Sequence, residues 1–91
     1  MRIVWSRSAT DQLIEIYDFI ALDKPEAARG VAQRIKEAVR LLAEHTHMGR
    51  SGKEPGTREW IVTGTPFIIS YRIEADRLLI LAVLHGARRR S

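Results

Sequence analysis

The sequence predicts an α+β fold: an N-terminal strand and an antiparallel helical hairpin packed on a small, mostly antiparallel sheet, in the order β-α-α-β-β-β. Three observations carry that expectation. Apolar residues recur at helical spacing between Ala9 and Leu42. Beyond Thr57 the pattern changes to short runs rich in β-branched and aromatic residues, separated by turn formers. At 91 residues the chain can bury one two-layer core but not a second, so residues 1–91 are read as a single domain.

Arg2-Ile3-Val4-Trp5 reads as the first strand, with Ile3 and Trp5 on one side. Ser8-Ala9-Thr10-Asp11 has the spacing of a capping box, a hydroxyl and a carboxylate three residues apart, and marks a helix start at Ser8. Ala9, Leu13, Ile16, Tyr17 and Ile20 form the apolar stripe of that helix. Asp23 is the expected N-cap of a second helix, with Pro25 and Glu26 in its first turn. Its stripe is Ala28, Val31, Ala32, Ile35, Ala38, Val39 and Leu42, and Gly30 is read as permitting close helix packing. Residues 45–57 carry Gly49, Gly52, Pro55 and Gly56 without periodicity, which reads as a long loop of functional or mobile character.

Three strands follow, Arg58 to Val62, Phe67 to Glu74 and Arg77 to His85. If Ala75-Asp76 is a two-residue hairpin loop, Ile73 faces Leu78, Tyr71 faces Ile80, Ile69 faces Ala82 and Phe67 faces Leu84 on one apolar face. The other face mixes Ile68, Ser70, Arg72 and Glu74 with Arg77, Leu79, Leu81 and Val83. Those three apolar residues break the clean alternation of a sheet with one wet face, so the last strand is either covered on both sides or awaits a partner.

Composition excludes several classes of function. Cysteine is absent, which removes disulfides and thiolate chemistry. The longest apolar run, Leu78 to Leu84, is far short of the roughly 20 residues of a membrane helix. No secretory stretch opens the chain, so a cytoplasmic protein without membrane attachment is expected. The net charge of +4 arises entirely from Gly49 onward, where eight Lys/Arg stand against four Asp/Glu. An anionic partner and a solubilising surface both fit that asymmetry.

Two tempting sites fail on spacing. Gly49-Arg50-Ser51-Gly52-Lys53 lacks the four residues between glycines, and the Ser or Thr after the lysine, that a P-loop needs. His45, His47 and His85 have no helical pairing and no acidic neighbours at ligand spacing, so neither a metal nor a cofactor is expected. Arg58, Arg72, His85 and Arg88 beside Arg50 and Lys53 would form a phosphate-binding surface, with Arg89 and Arg90 extending it.

The order of elements, together with Gly49-Arg50, Gly56-Thr57-Arg58-Glu59, Gly64-Thr65-Pro66-Phe67-Ile68-Ile69, Tyr71-Arg72 and Val83-Leu84-His85-Gly86-Ala87-Arg88, resembles the RelE/ParE family of bacterial type II toxin–antitoxin toxins over essentially the whole chain. The His85-Gly86-Ala87-Arg88 end and the Gly64-Thr65-Pro66 turn look closer to the ParE-like branch. The resemblance implies a toxin neutralised by a cognate antitoxin, whose seat would be Leu79, Leu81, Val83 and the groove along the helical hairpin. A ParE-like member implies DNA gyrase as target and no enzymatic activity, with Arg50, Lys53, Arg88, Arg89 and Arg90 as contact residues. A RelE-like member implies cleavage of messenger RNA on the ribosome, with Lys53, Arg58, Arg72 and Arg88 as cations, His85 as acid or base, and Glu54 as a weaker base. The C-terminal tyrosine that several ribosome-dependent members use is missing. A third expectation is a protein-interaction module without toxicity.

Overall fold

The computed structural model describes residues 1–88, the last of them by its backbone alone, and places β1 (Arg2–Trp5), α1 (Arg7–Ala21), α2 (Pro25–Glu44), β2 (Arg50–Ser51), β3 (Arg58–Ile61), β4 (Phe67–Glu74) and β5 (Arg77–His85) in that order, followed by a 3-10 turn over Gly86–Arg88. The five strands form one sheet in the order β1-β5-β4-β3-β2. All neighbours are antiparallel except β1 and β5, which run parallel because the whole helical hairpin and the other strands intervene between them. The last strand is therefore central.

Helix α1 begins earlier than the capping box predicts. Ser6, not Ser8, is the N-cap: its hydroxyl accepts the Ala9 N–H at 3.0 Å and donates to the Leu81 carbonyl at 3.0 Å. A cap that also ties the helix to the sheet outcompetes one that serves the helix alone. Asp23 likewise lies in the turn, and the N-cap of α2 is Lys24, which makes no side-chain cap. Gly30 is exposed, and a Cβ there would meet nothing within 4 Å, so it does not serve close packing as the sequence suggested. The presumed loop 45–57 contains β2, whose two residues pair with Glu59 and Arg58.

Core-facing residues of both helices, Ala9, Ile35, Ala38, Val39 and Leu42, join Ile69, Tyr71, Leu78 and Ile80 of the sheet in one apolar cluster. Ile35, Leu42, Ile69, Tyr71, Leu78 and Ile80 are completely buried. The β4–β5 hairpin closes through Ala75-Asp76 as expected, with Ala75 in the left-handed region at φ 53°. Near the turn the register is also as expected: Glu74 faces Arg77, Ile73 faces Leu78 and Tyr71 faces Ile80.

Beyond Tyr71 the register slips. Ser70 pairs with Ala82, Ile69 with Val83 rather than Ala82, and Phe67 with His85 rather than Leu84. Consecutive residues Tyr71 and Ser70 thus oppose Ile80 and Ala82, which leaves Leu81 as the extra residue of a β-bulge on β5. One residue of slip exchanges the two faces, so Val83 turns inward and is 3% exposed. Val83 belongs to the core and is not available as a partner contact, contrary to the sequence expectation, whereas Leu79 and Leu81 remain half-exposed.

Candidate functional site: a groove beside the open face of the sheet

Strand pairing sorts the candidate residues between the two faces. Residues directly opposite one another share a face, so Arg50, Glu59, Ser70 and Ala82 form one row across the sheet. Ile61, Ile68 and Leu84 form a parallel row, and Arg72 and Leu79 a third. This is the face opposite the apolar cluster. Arg58 belongs with Tyr71 and Ile80 on the core side, and His85 with Phe67.

Beyond Ile80, β5 extends past the end of β1, and α1 runs beside the edge so exposed. Side chains of α1 and its cap take over the backbone groups that a strand would otherwise pair. Ser6 serves the Leu81 carbonyl, and the Gln12 side-chain oxygen accepts the Val83 N–H at 2.8 Å. A groove of about 1030 Å³ lies here, walled by Ile16, Phe19 and Ile20 of α1 and reaching Phe67, Ser70, Leu84, His85 and the segment Lys53, Glu54 and Thr57. Phe19 is 74% exposed, which gives the groove a large uncovered apolar wall.

Glu59 lies against the groove yet is 5% exposed. One carboxylate oxygen is 3.9 Å from the Arg50 guanidinium, and the other accepts the Lys53 backbone N–H at 3.4 Å. Burial of a carboxylate is tolerable only with such compensation. Arg72 forms an ion pair with Glu74 at 2.9 Å, Arg77 reaches the same carboxylate at 3.1 Å, and the Arg72 Nε is buried without a hydrogen-bond partner.

Arg58 is committed to holding the chain in place. Its guanidinium donates to the Gly49 carbonyl at 2.7 Å and the His47 carbonyl at 3.5 Å. Tyr71 completes that clamp, accepting the Gly49 N–H and donating to the Thr46 carbonyl, both at 2.9 Å. Burial pushes the Tyr71 phenol above its usual value, against smaller opposing effects of the Gly49 bond and the Arg58 charge. His85 packs edge-on against Phe67, with ring centres 5.4 Å apart, and its Nδ1 accepts the Ala87 N–H at 3.1 Å. Its other nitrogen, Nε2, is then the one that carries the proton in the neutral ring.

The structure thus brings Arg50, Lys53 and His85 to the groove and the adjoining face, holds Arg72 two residues along β4 from Ser70, and turns Arg58 away. Arg88 is described only as backbone in the 3-10 turn, and the expectations for Arg89 and Arg90 lie outside the described residues. Sequence reasoning missed Glu59, Gln12 and Phe19. A charged residue alternating with Trp60 inside a strand, and a glutamine at the border of the α1 stripe, were the available signals. Among the described residues there is no cluster of metal-ligating side chains, and no helix is long and apolar enough to cross a membrane.

Residues 3–90 match the family of the ParE toxin of the type II toxin–antitoxin system parDE. The chain belongs to the ParE toxin family. It is 44% identical to the Sinorhizobium fredii protein Y4kP, described as a candidate toxin, over 93% of this chain and 88% of that one. It is 32% identical to Toxin RelE2 of Caulobacter vibrioides, over 96% of this chain and 97% of that one. A solved structure of the chromosomal ParDE system from P. aeruginosa superimposes with a TM-score of 0.85 at 30% identity, covering 93% of this chain and 95% of the other. The ParE-family chain is therefore a toxin of a type II toxin–antitoxin module, and membership implies an antitoxin as its partner.

Proposed function

We propose that this toxin stops growth in the ParE-like manner, by protein contact with DNA gyrase, and that a cognate antitoxin neutralises it by covering the apolar wall of Ile16, Phe19 and Ile20 together with Leu79 and Leu81. The observation that carries the gyrase reading over RNA cleavage is the division of the candidate catalytic residues. Arg58 is bonded to two backbone carbonyls on the core side, while Arg50 and Arg72 belong to the opposite face. Phosphoryl transfer needs its cations, acid and base converging on one phosphate. A surface that only presents charge to another protein has no such requirement.

One observation favours the RelE-like alternative: Lys53, Glu54 and His85 all border the same groove. That reading keeps His85 as the acid or base and Lys53 as the cation.

Induction of the toxin without its antitoxin separates the readings. Filamentation and a DNA-damage response while translation continues support gyrase as target. An early stop in translation, with transcripts cut at codons, overturns it in favour of the ribosome. Harmless expression leaves only an interaction module. The antitoxin surface is tested by co-expression with the neighbouring reading frame, and Phe19→Asp is expected to weaken capture.

A further inference from the structure

We infer that Glu59 is a positioning residue, whose buried carboxylate holds Arg50 and the Lys53 segment over the open face of the sheet and so sets the geometry with which these cations meet the toxin's target. The inference rests on the reading that this cationic surface contacts the target.

Three features of the structure carry it. First, β2 has only two residues, and the Arg50–Glu59 pair is one of its two points of attachment to the sheet. The long connection from Glu44 to Arg58, clamped earlier by Arg58 and Tyr71, thus meets β3 at the residue that bears the carboxylate. Second, the two oxygens serve different parts of that connection: one faces the guanidinium of Arg50, and the other accepts the N–H of Lys53, three residues further on. These contacts, at 3.9 and 3.4 Å, set a fixed negative charge beside the segment that carries both cations.

Third, the charge is expensive where it stands. Glu59 is 5% exposed, and a carboxylate so placed carries a desolvation cost that an uncharged side chain of the same shape does not. A carboxylate at this position therefore contributes less to holding the fold than to fixing where Arg50 and Lys53 lie. Arg50, with its side chain 63% exposed, keeps its outer surface available to a target while its guanidinium faces Glu59.

The test is Glu59→Gln, which preserves shape and removes charge, measured beside Glu59→Asp, Arg50→Ala and Lys53→Ala by growth inhibition after graded induction and by thermal unfolding. The expected result for Glu59→Gln is an unchanged fold and melting temperature with inhibition weakened about tenfold, the factor that corresponds to about 1.4 kcal/mol of target affinity. Glu59→Asp restores part of the activity, and adding Arg50→Ala to Glu59→Gln causes little further loss, because both remove the same side-chain pair. Full toxicity of Glu59→Gln, strictly additive losses, or loss of folding together with toxicity would each overturn the inference. If Arg50→Ala and Lys53→Ala both remain fully toxic, the cationic target surface itself is wrong and the inference falls with it. If they lose toxicity while Glu59→Gln does not, only the role of Glu59 is refuted.

Discussion

Replacing Tyr71 by Phe removes a single oxygen from a completely buried side chain and leaves two backbone groups facing the gap. The hydroxyl accepts the N–H of Gly49 and donates to the carbonyl of Thr46, both at 2.9 Å, and Gly49 is itself buried. The ring stays, so apolar burial is nearly unchanged. The loss is therefore dominated by an unsatisfied buried N–H, which costs about 1–3 kcal/mol. Since 1 kcal/mol moves the melting temperature of a domain near this size by about 4–8 °C, a cost of about 2 kcal/mol lowers it by about 8–16 °C.

The same variant predicts a pH dependence. Burial raises the Tyr71 phenol above its usual 10.0, so above that pH the unfolded chain gives up this proton before the folded one does. The unfolded state then binds fewer protons, and stability falls as pH rises from the unfolded value through the folded one. Below pH 10 this contribution is fully present. Tyr71→Phe has no such proton, so the gap in stability between wild type and variant narrows above pH 10. Thermal unfolding followed by circular dichroism at neutral and alkaline pH measures both effects. A shift below about 2 °C at neutral pH would refute the claim that this hydroxyl holds the connection between α2 and β2.

Gly30→Ala is expected to stabilise by about 1 kcal/mol, because the position is exposed mid-helix and a Cβ meets nothing; denaturant titration reads the change as a higher midpoint at unchanged slope. Ser6→Ala removes the cap of α1 and its tie to Leu81, and should cost at least about 1 kcal/mol by the same titration. Gly49→Ala would set a methyl group 2.5 Å from the Tyr71 hydroxyl and 2.8 Å from the Glu59 carbonyl, so a destabilisation of about 1–3 kcal/mol is expected; a neutral result would mean that the clamp is loose. Phe19→Asp, on an exposed side chain, should leave the melting temperature within about 0.5 kcal/mol equivalent of wild type while antitoxin capture falls in a pull-down.

The helical stripes, the strand runs and the tight turn at Ala75-Asp76 were legible in the sequence because each depends on local periodicity and turn chemistry. The first pairs of the β4–β5 register followed from the turn alone. The bulge at Leu81 did not, since Ile80, Leu81, Ala82, Val83 and Leu84 are all apolar and give no sign of where the alternation slips. The candidate site was legible only in part for the same reason. Charge asymmetry pointed to Arg50, Lys53 and the later arginines, but spacing alone does not tell a cation that faces outward from one, like Arg58, that is bonded to the chain's own carbonyls.

The sequence by itself determined the class of fold, the order of the elements and the resemblance to the RelE/ParE toxins, all of which are encoded in neighbouring residues and their periods. Only the tertiary structure decided which face each functional side chain occupies. That choice depends on a one-residue slip in β5, on Ser6 and Gln12 serving the edge that β1 leaves open, and on a two-residue strand held beside a buried carboxylate. These are contacts between residues far apart in the chain, and a local pattern carries no record of them.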